Sequence, residues 1–180
     1  MPNQKVKGKK NKSFDFLLDE AKRLGAVEAK IIGSEKVVVE DRVLLKCRTG
    51  CDSYGKKFVC PPLAPTPEEF RTMLREYRKV LVVKFPADAE AEEEVGRSLH
   101  KNQFSPETPS ALRERTKDFW NAWGADKKRI LLAMLDLEKA AFNRGYTLAV
   151  SLTAGSCTLC AKCNMEASCT HPTMARYPEH

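Results

Sequence analysis

The sequence has few of the residues that nucleotide-dependent and hydrolytic enzymes rely on. Only 9 of its 180 residues are glycine and only 3 are histidine. It contains no glycine-rich nucleotide-binding motif, no Walker loop and no serine–histidine–acid arrangement. Phosphate-binding cradles and hydrolase triads are therefore not among the expected functional sites.

Long apolar runs are missing as well. No stretch approaches the roughly 18 apolar residues of a membrane-spanning helix, and residues 1–12 lack the apolar segment of a secretory signal. With 42% hydrophobic and 31% charged residues, the composition is that of an ordinary soluble globular protein. We therefore expect a cytoplasmic protein that does not contact a membrane.

Acidic residues are absent from the N-terminal tail, and this explains the basic character of the chain. The net charge is +7, and removing the five positive charges of the tail leaves +2 for the remainder. The five are Lys5, Lys7, Lys9, Lys10 and Lys12. We expect residues 1–12 to be a disordered basic arm and residues 13–180 to be a single domain, and we do not expect nucleic acid to be a partner.

Cysteine, by contrast, is abundant near the C-terminus. Four thiols lie within thirteen residues, at offsets of three, three and six: Cys157, Cys160, Cys163 and Cys169. A short loop with thiols this close together suits a cubane of iron and sulfide, because the loop must wrap the cube and present a thiolate to each corner. The first three cysteine positions match the bacterial ferredoxin pattern, whereas the last gap is five residues instead of three.

A second cysteine cluster lies earlier in the chain. Cys47, Cys51 and Cys60 are separated by offsets of four and nine, with Gly50 and Gly55 between them. Glycine permits a positive φ, so this loop can fold back and bring its thiols together. Tyr54 and Phe58, within this loop, are candidates to shield a bound cofactor from water, and simple core packing is the alternative.

Seven cysteines are an odd number, and cytosolic thiols stay reduced, so a disulfide framework explains the pattern poorly. Metal binding explains it better. We expect one or two [4Fe–4S] clusters, with a structural zinc ion as the alternative and thiols without metal as the remaining one.

The hydrophobic pattern predicts an α/β fold. Helices are expected from Phe14 to Gly25, after the Thr66–Glu69 capping box, and over residues 110–123 and 126–143. Strands are expected over residues 27–32, 80–85 and 146–152, with a shorter extended piece at 37–39. Because strands alternate with helices, we expect a small, largely parallel or mixed sheet flanked by helices. Residues 80–85 and 146–152 would pair in parallel, with the long helix crossing one face.

Both cysteine stretches resemble a predicted metal-binding protein family, domain of unknown function 2284. The first block runs from Lys46 to Pro62 and includes Cys47, Gly50, Cys51, Tyr54, Gly55, Lys56, Cys60 and Pro61. The second contains the four C-terminal cysteines followed by His171, Pro172, Ala175 and Arg176. The resemblance implies that the protein binds metal, with an iron–sulfur cluster as the expected group. It implies no particular activity. It also implies a further short segment after His180.

The seven thiols divide most simply into four and three. The C-terminal four would saturate one [4Fe–4S] cluster for one-electron transfer, and the other three would leave one iron of a second cluster open. Alternatively, the two loops share one cluster, and His171 is either a ligand or a residue that positions the loop. The expected function is an iron–sulfur redox or electron-transfer component, with a redox partner protein or a small-molecule substrate. An enzyme using an open iron and a zinc-stabilised binding module are the alternatives.

Overall fold

The computed structural model describes residues 13–99, 105–169 and 171. The basic arm expected at residues 1–12 and the expected further segment beyond the chain lie outside the described residues. In chain order the elements are helix α1 (Asp15–Arg23), strand β1 (Glu28–Gly33), a 3-10 helix (Ser34–Lys36), helix α2 (Val43–Gly50), helix α3 (Pro67–Leu74), strand β2 (Lys79–Lys84), helix α4 (Glu93–Leu99) and helix α5 (Ser110–Asn143).

Helix α5 is the centre of the core. Its apolar residues recur at helical spacing, so they form one face that α1 and α4 cover. The buried apolar residues of these three helices are Ala21, Val95, Ala133, Leu135, Leu137 and Ala141. These helices therefore form a scaffold whose stability rests on apolar burial.

Helix α5 is one continuous helix of 34 residues, where the sequence predicted two. The predicted break lay around Gly124, but glycine costs a helix only about 1 kcal/mol relative to alanine. No proline lies between Ser110 and Asn143, and both flanking segments carry apolar residues at helical spacing. The helix therefore continues through the glycine.

The sheet is antiparallel, which corrects the expected parallel or mixed arrangement. Strand β1 pairs only with β2 among the described residues, in a register that places Glu28 opposite Lys84 and Gly33 opposite Lys79. Both strands were predicted to within about one residue. Their partnership was not, because it joins segments separated by α2 and α3. The observed class is mixed α/β with a two-stranded sheet.

Residues 146–152 do not form the predicted third strand. Their alternating apolar side chains suggested one, but Leu148 is 79% exposed and Leu152 is 64% exposed. Other side chains bind the backbone of the segment: Tyr77 donates from Oη to the carbonyl of Leu148 at 2.8 Å, and the Ser151 N–H donates to Glu138 Oε2 at 2.6 Å. Within the described structure, the segment is therefore held by side chains of other elements and pairs with no strand.

The predicted helix ends are largely confirmed. Gly25 has a φ of +91° just after the end of α1, as predicted. The start differs, because the helix begins at Asp15 and its N-cap residue, Phe14, makes no side-chain capping hydrogen bond. At α3, the Glu69 N–H donates to Thr66 Oγ1 at 3.2 Å, while the Thr66 N–H donates to Glu69 Oε2 at 2.8 Å. This reciprocal pair is the capping box that the sequence predicted.

A buried carboxylate anchors the chain that follows β2. Asp126, on α5, is 3% exposed, and its Oδ2 accepts from the backbone N–H groups of Asp88 and Ala89 at 2.8 and 2.9 Å. Its Oδ1 accepts from Arg129 at 2.7 Å. The Arg129 guanidinium, together with the N–H groups of Ala89 and Asp88, holds the pKa of Asp126 below its usual value.

None of the helices in the described part of the chain combines the length and apolar character needed to cross a membrane.

Candidate metal centre

A short helix delivers the first two cysteines. Cys47 lies in α2, and Cys51 follows the last helical residue, Gly50, with an extended conformation of φ −92° and ψ 118°. The sequence predicted a loop here, since a run with cysteine, threonine and glycine is not a strong helix former. The helix places the two thiols one turn apart at the start of the candidate site.

The segment from Cys51 to Pro61 folds back on itself through a series of turns. The Gly55 N–H donates to the carbonyl of Pro61 at 2.8 Å, which ties the middle of the segment to the residue just after Cys60. Gly55 has a φ of +65°, a backbone conformation that residues other than glycine rarely adopt. The Cys60 N–H donates to the carbonyl of Lys57 at 3.0 Å. As predicted, the glycine lets this loop turn back.

The three thiols of the first loop differ in exposure. Cys60 is buried at 8% exposure, Cys47 is half-buried and Cys51 is exposed. Burial raises the pKa of the Cys60 thiol, and the charge of Cys51 raises it further. The ammonium of Lys57 acts in the opposite direction, and the charges of Cys47 and Cys157 raise this pKa again. Thiols from both cysteine stretches therefore lie close enough to influence Cys60 electrostatically.

Lys57 joins the two cysteine stretches directly. Its Nζ donates to the backbone carbonyl of Cys157 at 2.8 Å and to Ser156 Oγ at 3.2 Å. Both contacts are partly buried, where a hydrogen bond from a charged group is stronger than at an exposed surface. Loops separated by about a hundred residues are thus held together at one point.

The second cysteine loop has no regular secondary structure over its described residues, 152–169. Gly155, with a φ of +87°, turns the chain into it. Its first three cysteines, Cys157, Cys160 and Cys163, are half-buried, whereas Cys169 is exposed. Cys160 Sγ lies 3.2 Å from His171 Nδ1, so the loop brings a thiol and an imidazole into contact.

A buried hydroxyl follows Cys157 directly in the chain. Thr158 Oγ1 is inaccessible to solvent and has no hydrogen-bond partner among the described residues. An O–H donor in such a position is suited to a sulfur acceptor, and hydrogen bonds to sulfur tune the potential of an iron–sulfur cluster. This donor therefore fits a sulfur-rich group at the second loop.

The donors do not form a single-ion site within the described residues. In a tetrahedral zinc site the Zn–S bonds are about 2.3 Å, so the sulfur atoms are nearly in contact. No three His, Cys, Asp or Glu side chains in the described part of the chain gather closely enough to hold one metal ion. No disulfide bond joins any of the described cysteines either. The ligand set of seven cysteines remains a prediction.

Sequence reasoning did not identify Lys57 and Thr158 as part of this region. Lys57 is one of two adjacent lysines in a loop, and Thr158 is an ordinary polar residue in a cysteine-rich segment. Neither carries a local signal, because their roles depend on the approach of the two loops. Tyr54 and Phe58 are half-buried in the first loop, and their suggested role as a shield stays a prediction.

Thiolates are soft donors that proteins use for zinc, copper and iron–sulfur centres, and two loops of them in contact are typical of a metal-binding protein. The chain belongs to the predicted metal-binding protein family DUF2284, whose family model matches residues 30–180. Comparison with curated proteins gave no match, and comparison with solved structures gave none either.

Proposed function

We propose that this protein is an iron–sulfur redox protein that carries electrons on [4Fe–4S] clusters bound by its two cysteine loops. The proposed ligands are Cys47, Cys51, Cys60, Cys157, Cys160, Cys163 and Cys169. Family membership supports metal binding. The choice of iron and sulfide, and of electron transfer, is our own.

The observation that carries the proposal is the contact between the two loops. Lys57 holds the backbone of Cys157 beside the turn that contains Cys60. Among the described residues, no three donor side chains gather there closely enough to hold a single ion. A cubane is much larger than one ion, so its thiolates stand farther apart and can come from separate loops. This geometry favours a cluster over structural zinc.

The chain's own residues suit a site that exchanges electrons. A fully thiolate-ligated [4Fe–4S] cluster supplies one-electron transfer at a potential set by burial and by hydrogen bonds to sulfur. Cys60 is buried and half-buried Phe58 lies near it in the chain, so one side of the site is sheltered. Cys51 and Cys169 are exposed, which gives a partner access to the other side.

We further propose that the protein works in the cytoplasm with a redox partner protein. Seven cysteines without a disulfide bond in the described structure suit a reducing compartment. Electron transfer requires a second redox centre to which the electron passes, and a protein with its own cofactor is the simplest source of one.

Reversible reduction tests the proposal. Protein purified without oxygen should be brown, with broad absorption at about 400 nm that bleaches with dithionite and returns on re-oxidation. Colourless protein that contains zinc would overturn the proposal in favour of a structural metal. A chromophore that dithionite leaves unchanged would also overturn the electron-transfer role, and would favour an enzyme that uses an iron as a Lewis acid.

A further inference from the structure

We propose that His171 donates a hydrogen bond to the thiolate of Cys160, and that this bond raises the reduction potential of the cluster that Cys160 ligates. His171 is then a positioning residue and not a ligand. This inference rests on the proposed function, because it concerns one of the ligands proposed above. It decides between the two roles that the sequence left open for this histidine.

The first observation is the distance between the two side chains. His171 Nδ1 lies 3.2 Å from Cys160 Sγ, in a contact that is partly buried. Ligands on separate irons of a cubane do not stand so close, because each iron takes one protein ligand and these ligands point away from the cube. Two ligands on one tetrahedral ion would be about 3.5 Å apart. Such an ion would also need further donors, and the described residues do not gather them.

The chemistry of the two atoms fixes the direction of the bond. A thiolate bound to a metal has lost its proton, so its sulfur can only accept a hydrogen bond. The ring nitrogen that contacts it must therefore donate, which requires the imidazole proton to be on Nδ1. One tautomer of the neutral ring has this proton, so the bond requires no change in the charge of His171.

The contact also closes the second cysteine loop. Cys160 and His171 are eleven residues apart, and the span between them contains Cys163 and Cys169. This span has no regular secondary structure over its described residues, so a bond between its ends restrains it. Cys160 and His171 are both half-buried, and a hydrogen bond is stronger where water competes less. The bond therefore holds the proposed ligands of the span near Cys160.

A donor at this position acts on the charge of the site. Reduction adds one electron, and so one negative charge, to the cluster, while His171 keeps its proton and no bond is made or broken. The electron comes from the redox partner proposed above or, in the experiment, from dithionite. An N–H directed at the ligand sulfur stabilises the added charge and favours the reduced form. Removal of the donor should therefore lower the reduction potential.

Two uncharged replacements in the whole protein test the role of the Nδ1–H. His171→Phe keeps a planar ring without a donor, whereas His171→Asn can place an amide N–H close to the position of Nδ1. After reconstitution without oxygen, His171→Phe should lower the ratio of reduced to oxidised cluster at a fixed potential about tenfold, which is about 59 mV for a one-electron couple. His171→Asn should recover much of this loss. Both variants should retain the iron and sulfide content of the wild type.

The matched control is Ser168→Ala, because Ser168 is an exposed and uncharged residue of the same loop. This variant should leave the potential unchanged. If the wild type titrates in two components, His171→Phe should move only one of them, since Cys160 ligates only one cluster.

A measurement on the wild type makes the test independent of how the variants fold. Pulsed electron paramagnetic resonance of the reduced protein should show only the weak nitrogen coupling of groups that surround the ligands. The strong coupling of a nitrogen bonded to iron would overturn the inference, because His171 would then be a ligand.

The outcomes separate this inference from the proposed function. An unchanged potential in His171→Phe, or equal decreases in His171→Phe and His171→Asn, would overturn the role of the Nδ1–H while the protein remains an iron–sulfur protein. Loss of iron and sulfide from both variants would also overturn it, because it would indicate a ligand. If the wild type contains no iron and sulfide, the proposed function itself fails.

Discussion

The helical scaffold and the cysteine loops are held together in different ways. In the scaffold, α1 and α4 pack against α5, and Leu137 and Ala141 are each 4% exposed. In the loops, Cys60 is the buried apolar residue, while Val59 and Leu63 beside it are more than half exposed. The loops are stabilised by the hydrogen bonds of their turns and of Lys57, whereas the scaffold is stabilised by apolar burial.

This difference indicates where a metal contributes to folding. A segment with little apolar burial gains little from the hydrophobic effect and opens easily. Ligation by thiolates from distant parts of the chain would close the loops as a cross-link does. We therefore expect the loops to depend on the bound group and the scaffold to be largely independent of it.

Removal of the bound group should have the largest effect. Chelation or oxidation of the proposed clusters should raise amide hydrogen exchange about tenfold or more over residues 51–64 and 152–169, because the cross-link between them is lost. Exchange over residues 130–141 of α5 should change little. Equal loss of protection in both regions would contradict the separation of loops and scaffold.

A cavity in the core should destabilise the scaffold and leave the proposed metal site unchanged. Leu137→Ala should lower the free energy of unfolding by about 2–5 kcal/mol, because a buried leucine is replaced by a cavity. Its matched control is Leu132→Ala on the same helix, where Leu132 is 46% exposed and the loss should be much smaller. Chemical denaturation measures both values. Iron content per folded molecule should not change, and a selective loss of iron in Leu137→Ala would contradict the account.

The buried carboxylate of the scaffold should make stability depend on pH. Asp126 has a lowered pKa in the folded protein, so its contribution is present above its usual value of 3.8 and is lost as the pH falls through the folded-state value. Asp126→Asn should therefore lower the denaturation midpoint at pH 7. The difference from wild type should shrink as the pH is lowered below 3.8.

The control for this carboxylate is Asp118→Asn, which changes an exposed residue of the same helix and should have little effect at either pH. A deficit in Asp126→Asn that stays constant from neutral to acidic pH would show that the charge of Asp126 does not matter.

Loss of the capping box should have the smallest effect. Thr66→Ala should destabilise the protein by about 1 kcal/mol, because the Glu69 N–H loses its acceptor. Thr66→Ser keeps a hydroxyl and should retain most of the stability. Thermal unfolding distinguishes the two, and equal losses for both variants would rule out the hydroxyl as the cause.

The parts of the fold that were predictable from sequence are those fixed by neighbouring residues. The capping box at Thr66, the helix end at Gly25 and strands β1 and β2 all follow from local patterns. The antiparallel pairing of the strands did not follow, since it depends on how the intervening helices pack. Residues 146–152 have a strand-like pattern without a strand beside them in the described structure, so their pattern was misleading.

The candidate site divides in the same way. Its cysteines and the turn at Gly55 were evident from composition and spacing. The contact between Lys57 and Cys157 was not, because nothing in either loop specifies the other as its neighbour. The sequence consequently indicated the donors, and the tertiary structure was needed to show that the two loops are in contact.

The most direct test of the central claim is the content of iron and acid-labile sulfide in protein purified without oxygen. The account predicts iron and sulfide in equal amounts, about eight of each per chain for two [4Fe–4S] clusters. Zinc in place of iron, or iron without sulfide, would contradict it.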